Sequence, residues 1–278
     1  MQEQRICGLL PDVRLPDNIF ISTKMEEVLP AAEMVLVVVP SDKVEVTLDH
    51  AKHLLQQQPI VICSKGFADG LGFLSEAAQK KVSGELYCLY GPTHAEEVGQ
   101  GIFSGIVLAG KKGKEREKIR EAIDSKRLKV EVSDDIIGVQ LCAALKNILA
   151  VFVGILDGKK LGDNTKAYVI TKGLEEIKII GLRMGAKEET FYGLAGIGDI
   201  IVTATSKHSR NRYVGEQIGK GKKLDDILAE MKMVAEGITA VKKAAGFSEK
   251  LGLELPLIQG LYDILFEGKD VEEVLSRL

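Results

Sequence analysis

The sequence has little of what marks secretion, metal binding or nucleic-acid binding. Among its 278 residues are only four cysteines and four histidines. Cys7, Cys63, Cys88 and Cys142 form no CxxC pair, and three of them lie in apolar runs. That spacing argues against a disulfide scaffold or a zinc ribbon, and reduced, buried thiols in a cytoplasmic protein are the simplest account. His50 and His53 stand three apart in DHAKH with no evident third ligand, so they are expected on the surface and no metal is expected. The net charge of −3 gives no reason to expect a nucleic-acid partner. The most basic stretch, GKKGKEREKIR (110–120), interleaves Glu with Lys and Arg and reads as a solvated helix face. The opening MQEQRICGLL lacks the long apolar core of a signal peptide. There is no internal repeat and no low-complexity linker. With 45% hydrophobic and 28% charged residues, the chain has an ordinary globular profile, long enough for one large domain or two.

The pattern changes near residue 135. Before it, short β-branched runs alternate with amphipathic stretches: MVLVVV (34–39), PIVICS (59–64), LYCLYG (86–91), GIVLAG (105–110) and LKVEVS (128–133). Continuous apolar strands alternating with helices imply a parallel sheet covered on both faces. After it, strand signals almost vanish and helical segments follow one another, broken at Gly185, Gly196, Gly198, Gly237, Gly252 and Pro256. The reading is an α/β domain over 1–135 and an all-α domain over 136–278.

The junction is one long apolar helix, IIGVQLCAALKNILAVFVGIL (136–156), with Lys146 at its middle. As a membrane span it would carry a central lysine costing about 2.5–3.5 kcal/mol, with Gln140 and Asn147 adding to that. Burial within protein is the better reading. Gln140, Ala143, Asn147, Ala150 and Gly154 form a stripe of polar and small residues beside Lys146, which would leave room for another molecule. A snorkelling lysine is the plainer alternative. Lys146 lies far from either end of the run, however, and a buried ammonium needs a carboxylate or an anionic ligand.

Three strands end in residues suited to a ligand, since open α/β sheets bind at the carboxyl ends of their strands. These are Pro40–Ser41, Lys65–Gly66 and Gly91–Pro92–Thr93–His94–Ala95; ordinary strand–helix turns use the same residue types. Further on, GLAGIGDIIVTATSKHSRNRYVGEQ (193–217) makes an irregular glycine turn before Asp199, which is either a helix cap or a partner for a cation. Ser209 reads as an N-cap. Arg210 and Arg212 then sit in a first helical turn, where the macrodipole prefers acids, so this helix start suits a bound phosphate. Plain surface arginines are the other reading.

Taken together, LPDVRLPDNI (10–19), VVVPS (37–41), SKG (64–66), GPTHAEEV (91–98), GVQLCAALKNILA (138–150), GLAGIGDIIVTATSKHSRNR (193–212) and VAEGITA (234–240) resemble the bacterial NAD(P)-dependent glycerol-3-phosphate dehydrogenase family, in order and in spacing. The resemblance implies a Rossmann-like sheet domain followed by an all-α domain. It also implies a cytoplasmic oxidoreductase, expected as a homodimer. The enzyme would interconvert dihydroxyacetone phosphate and sn-glycerol 3-phosphate with NAD or NADP, supplying glycerol phosphate for phospholipid synthesis. Lys146 and Asp199 match the catalytic positions. Lys65, Gly91, Thr93, Thr203, Ser209, Arg210 and Asn211 match the substrate side. Pro40, Ser41, Lys65, Ala95, Asn147, Arg210, Val234 and Glu236 match the cofactor side. His94 stands where the family usually has Phe, so altered packing beside the cofactor is expected.

One departure is plain. A dinucleotide fold needs GxGxxG or GxGxxA after its first strand, and none is in place; GLGFLS (70–75) does not match. The expectation is that a first strand, helix and second strand lie upstream of Met1, and that the remaining sheet exposes an edge and apolar surface. The alternative is a non-catalytic homologue that binds a small phosphate ligand but no dinucleotide. A weaker third reading is another β-hydroxyacid-type dehydrogenase, against which the SRNR segment argues.

Overall fold

The structure is a computed structural model that describes residues 5–8, 10–231 and 236–278. The chain divides into two compact units. One comprises Met1–Ala68 and Gly72–Ile136; the other comprises Asp69–Leu71 and Ile137–Leu278.

The first unit opens with a hairpin of β1 (Ile6–Cys7) and β2 (Leu10–Arg14). Its main sheet has the order β3-β4-β5-β6-β7, formed by Val35–Val37, Ile60–Ile62, Leu86–Tyr90, Ser104–Gly110 and Leu128–Ser133. Helices α1 (Val44–Ala51), α2 (Leu74–Gln79), α3 (Ala95–Gly99) and α4 (Lys114–Ile123) connect the strands. Strand β4 is buried at every residue and so is β5, which explains their unbroken apolar runs. The parallel sheet carries one antiparallel junction, between β5 and β6. Residues 91–103, which include the five of α3, are the shortest connection between strands of the main sheet, and there the chain turns back and pairs antiparallel. The ten-residue α4 gives β6 and β7 a parallel crossover.

Helix α4 corrects one expectation. Most of GKKGKEREKIR is a solvated face, but Arg116 is buried and its Nη1 donates to Gly110 O (3.1 Å) and Ser133 O (2.9 Å), at the ends of β6 and β7. A charged residue in a polar run reads as solvent-facing, but this one turns inward to satisfy strand-end carbonyls. At the other side of the sheet β3 is an edge, with Leu36 and Val38 exposed at 42% and 70%.

The second unit is helical. Helix α5 (Ile136–Lys159) is buried at every residue from Gly138 to Leu156, the pattern of a core helix that is apolar all round. It is long and apolar enough to cross a membrane, but most of it is buried within the protein. The helices that follow it are α6 (Gly162–Arg183), α7 (Glu188–Tyr192), α8 (Asp199–Thr205), α9 (Arg210–Gly219), α10 (Leu224–Glu230), α11 (Glu236–Leu251), α12 (Pro256–Phe266) and α13 (Val271–Leu275). Buried Glu176 on α6 accepts from the amides of Leu257 (2.6 Å) and Ile258 (2.9 Å), capping the start of α12 from a neighbouring helix. Burial raises the pKa of this carboxyl, and the two amides offset only part of the rise.

The four cysteines are free thiols. Cys88 and Cys142 are buried as expected, whereas Cys7 and Cys63 are half-buried. Desolvation pushes the Cys63 thiol up to about 11, against a smaller lowering by Lys65. His50 and His53 are exposed.

Candidate active site

In the sheet unit, hydrogen bonds draw together the carboxyl ends of three parallel strands. Ser64 Oγ, just after β4, donates to the carbonyls of Val37 (3.3 Å) and Val39 at the end of β3. Tyr90 Oη, ending β5, donates to Ser64 O at 2.6 Å. These bonds place the Pro40–Ser41, Lys65–Gly66 and Gly91–Thr93 turns along one end of the sheet. Gly66 has φ +145°, and a Cβ there would lie 2.7 Å from Ser41 Oγ, so the first two turns touch. A Cβ on Gly91 would lie 2.9 Å from Ile106 Cα, which gives Gly91 a packing role against β6 as well. Thr93 Oγ1 donates to Gly91 O (3.2 Å). His94 is the half-buried N-cap of α3, its carbonyl accepting from the amides of Glu97 and Val98, and Ala95 is exposed at the first residue of that helix. Pro40 is exposed, while Ser41 and Lys65 are half-buried.

In the helical unit, Lys146 and Asp199 meet. Lys146 Nζ donates to Asp199 Oδ1, and the two residues are 5% and 0% exposed. The approach to Asp199 explains its position. Leu194–Gly198 forms a wide π-type turn in which a Cβ on Gly196 would lie 2.2 Å from Phe191 O, so only glycine lets the chain pass there. Asp199 then begins α8, and its carboxylate accepts from the lysine. Buried Thr203, one turn on, donates to Asp199 O at 2.6 Å and approaches Oδ1 at 3.4 Å.

Ser209 caps α9, its Oγ accepting from Arg212 N at 3.3 Å. The two arginines then part. Arg212 is held by Asp157 of α5, with Nε at 2.8 Å and Nη2 at 2.6 Å from Oδ2. Arg210 is exposed, and no carboxylate among the described residues pairs with it. Asn211 Oδ1 accepts from Gly237 N (2.9 Å). A Cβ on Gly237 would lie 2.8 Å from both Asn147 O and Asn211 Oδ1, so the starts of α9 and α11 converge on the middle of α5. Glu236, half-buried, is the first residue of α11; Val234 lies outside the described residues.

The small-residue stripe on α5 does something other than expected at its far end. A Cβ on Gly154 would lie 2.0 Å from Arg212 O, and one on Gly158 would lie 2.4 Å from Glu216 O. From the facing helix, Gly215 and Gly219 approach Val151 O and Ile155 O just as closely, at 2.0 and 2.3 Å. The space beside Gly154 is therefore filled by the backbone of α9 rather than open to a ligand. Sequence reasoning also missed Asp157. The available signal was a lone carboxylate three turns beyond Lys146 on the same helix face.

A Rossmann-type sheet unit followed by a helical unit with a buried lysine–carboxylate pair defines a class of two-part dehydrogenase-like folds. The comparisons are more specific. The family model described as NAD-dependent glycerol-3-phosphate dehydrogenase N-terminus matches residues 2–116, and the one described as its C-terminus matches residues 135–276. The glycerol-3-phosphate dehydrogenase [NAD(P)+] of Chlorobium limicola is 39% identical over 276 residues, covering 97% of this chain and 83% of that protein. The corresponding Salinibacter ruber protein is 37% identical, with coverages of 97% and 81%. The crystal structure of glycerol-3-phosphate dehydrogenase from Coxiella burnetii superposes with a TM-score of 0.93 at 30% identity, over 100% of this chain and 86% of that one. The chain belongs to the NAD-dependent glycerol-3-phosphate dehydrogenase family.

Proposed function

We propose that this protein interconverts dihydroxyacetone phosphate and sn-glycerol 3-phosphate with NAD or NADP. The observation that carries the reading is the buried Lys146–Asp199 pair in a chain of this family. Reduction of a ketone leaves charge on the carbonyl oxygen. An ammonium fixed by a buried carboxylate is ready to stabilise that oxygen and to give it a proton. Asp199 keeps Lys146 charged and directed, and Thr203 braces Asp199 through its backbone and carboxylate. The Ser209–Arg210–Asn211 turn takes the substrate phosphate on amides at a helix start together with the exposed Arg210 guanidinium. Lys65, Gly91 and Thr93 are further residues assigned to the substrate in this reading.

The sheet unit is assigned to the dinucleotide and the helical unit to the substrate. Half-buried Ser41, Lys65 and Thr93 stand in turns at the carboxyl ends of parallel strands, where open α/β sheets bind their ligands, which fits a nicotinamide cofactor. The residues assigned to the cofactor in this reading are Pro40, Ser41, Lys65, Ala95, Asn147, Arg210, Val234 and Glu236. When bound, the cofactor supplies or accepts the hydride. The reading also includes a cytoplasmic location, homodimer assembly and a role in supplying glycerol phosphate for phospholipids; light scattering checks the dimer.

The test is oxidation of NADH and NADPH, followed by nicotinamide absorbance, with dihydroxyacetone phosphate as substrate. Turnover that tracks enzyme concentration supports the reading. A folded chain that binds glycerol 3-phosphate by calorimetry yet never oxidises either cofactor is instead the non-catalytic phosphate binder.

A further inference from the structure

Arg212 is held at three points. Its amide is bonded by Ser209 Oγ at 3.3 Å. Its carbonyl lies against Gly154, where a Cβ would sit 2.0 Å away. Its guanidinium grips Asp157 Oδ2 through Nε and Nη2. Asp157 is thereby anchored to α9 and, through Oδ1, to Lys166 of α6 at 2.9 Å. Burial alone would raise this carboxyl's pKa, but the bonds from Lys166 and Arg212 outweigh it and the net shift is downward, so the carboxylate stays charged.

Residues two apart on a helix point about 200° from each other. Fixing Arg212 onto α5 therefore turns Arg210 away from α5, and it sets Asn211 between them, where Gly237 N meets its Oδ1. The paired glycines let α9 lie backbone to backbone on α5, but glycine surfaces carry no side-chain notch that resists rotation about the helix axis. The only described ion pair between α9 and α5 is that of Arg212 with Asp157.

We propose that Asp157 and Arg212 are positioning residues that set the rotation of α9 on α5, and so aim Arg210 and Asn211 at a phosphate-bearing substrate. This rests on the reading that the Ser209–Arg210–Asn211 turn receives the substrate phosphate. Arg212 does not touch the ligand. The near-identical arginines of SRNR thus divide the work, one structural and one facing the anion.

The experiment measures glycerol 3-phosphate binding to the full chain by calorimetry, with urea denaturation of the same samples. The samples are wild type, Asp157→Asn, Arg212→Met, Arg212→Lys and Lys166→Met. Lys166 pairs with the same carboxylate but belongs to α6, so its replacement removes a comparable ion pair without freeing α9. Misaiming of α9 is expected to weaken binding roughly 10- to 100-fold in Asp157→Asn and Arg212→Met. Arg212→Lys should recover part of the loss, and Lys166→Met should bind close to wild type. Equal weakening in Lys166→Met and Arg212→Met, or undiminished affinity in Arg212→Met, overturns the proposal while leaving the phosphate site in place. If Arg212→Met does not fold, Arg212→Lys against Lys166→Met makes the same comparison. Wild type that binds no glycerol 3-phosphate overturns the phosphate reading itself, and this proposal with it.

Discussion

Lys146 Nζ and Asp199 Oδ1 are hydrogen-bonded across 53 residues of sequence, and both residues are almost wholly enclosed. Removing one member leaves a buried charge without its partner, which costs about 3–5 kcal/mol, far more than a surface pair is worth. Asp199→Ala should therefore lower unfolding stability by that amount in urea titrations. The double replacement Lys146→Met/Asp199→Leu should recover most of the loss while showing no turnover. Near-wild-type stability for Asp199→Ala would mean that the carboxylate does not hold the lysine's charge.

In the proposed reading Arg210 binds the substrate phosphate. Arg210→Ala should cost about 2–4 kcal/mol in kcat/KM for dihydroxyacetone phosphate, the scale of a lost charge-assisted contact. Reduction of phosphate-free dihydroxyacetone should barely change. The comparison separates this role from a cofactor contact, which would slow both substrates alike. Equal losses on the two would reject phosphate recognition as the main role of Arg210.

The close approach of α5 and α9 leaves no room for a methyl group. Gly154→Ala would place one 2.0 Å from Arg212 O, a backbone atom that moves only if the helices part. Overpacking of this kind costs about 1–3 kcal/mol, occasionally more. Gly215→Ala should cost a similar amount, and the double variant less than the sum, because both separate the same helix pair. Denaturation midpoints check this; strict additivity would show that the two glycines act independently.

Glu176 gives a pH signature. Its folded-state pKa is raised by burial above the ordinary value of 4.5. A raised carboxyl contributes stability that is present below the unfolded pKa and is lost as pH rises through the folded one. Compared with Glu176→Gln, wild type should thus gain relative stability as pH falls from neutral towards 4.5. A stability difference that is flat across that window, or that widens against wild type on acidification, contradicts the assignment. The backbone bonds to Leu257 and Ile258 would then dominate over desolvation.

Much of the architecture was legible because it rests on local pattern. The apolar runs at β4 and β5 could only be buried strands, and a 24-residue helix with one central lysine had to be enclosed and had to find a counter-charge. Ser209 announced itself as a cap by residue type and position. What the sequence hid are placements that depend on distant chain. Gly154 looked like room for a ligand because nothing local says that the backbone of α9 lies there. Arg116 looked solvated because charge patterning does not show which carbonyls a strand end leaves unpaired. The antiparallel turn of β6 goes with the shortest connection between strands of the main sheet, residues 91–103, and apolar periodicity does not show strand direction. Asp157 was silent for the same reason: its two cations come from α6 and α9.

The central claim is that Lys146 acts on the charge that develops at the reacting oxygen, and the most direct measurement is the steady-state kinetics of Lys146→Ala with dihydroxyacetone phosphate. The account predicts kcat lowered by about 10²–10⁴-fold, the loss of a proton donor, with substrate and cofactor affinity much less affected. An unchanged kcat with a raised KM would contradict it and make Lys146 a binding residue only.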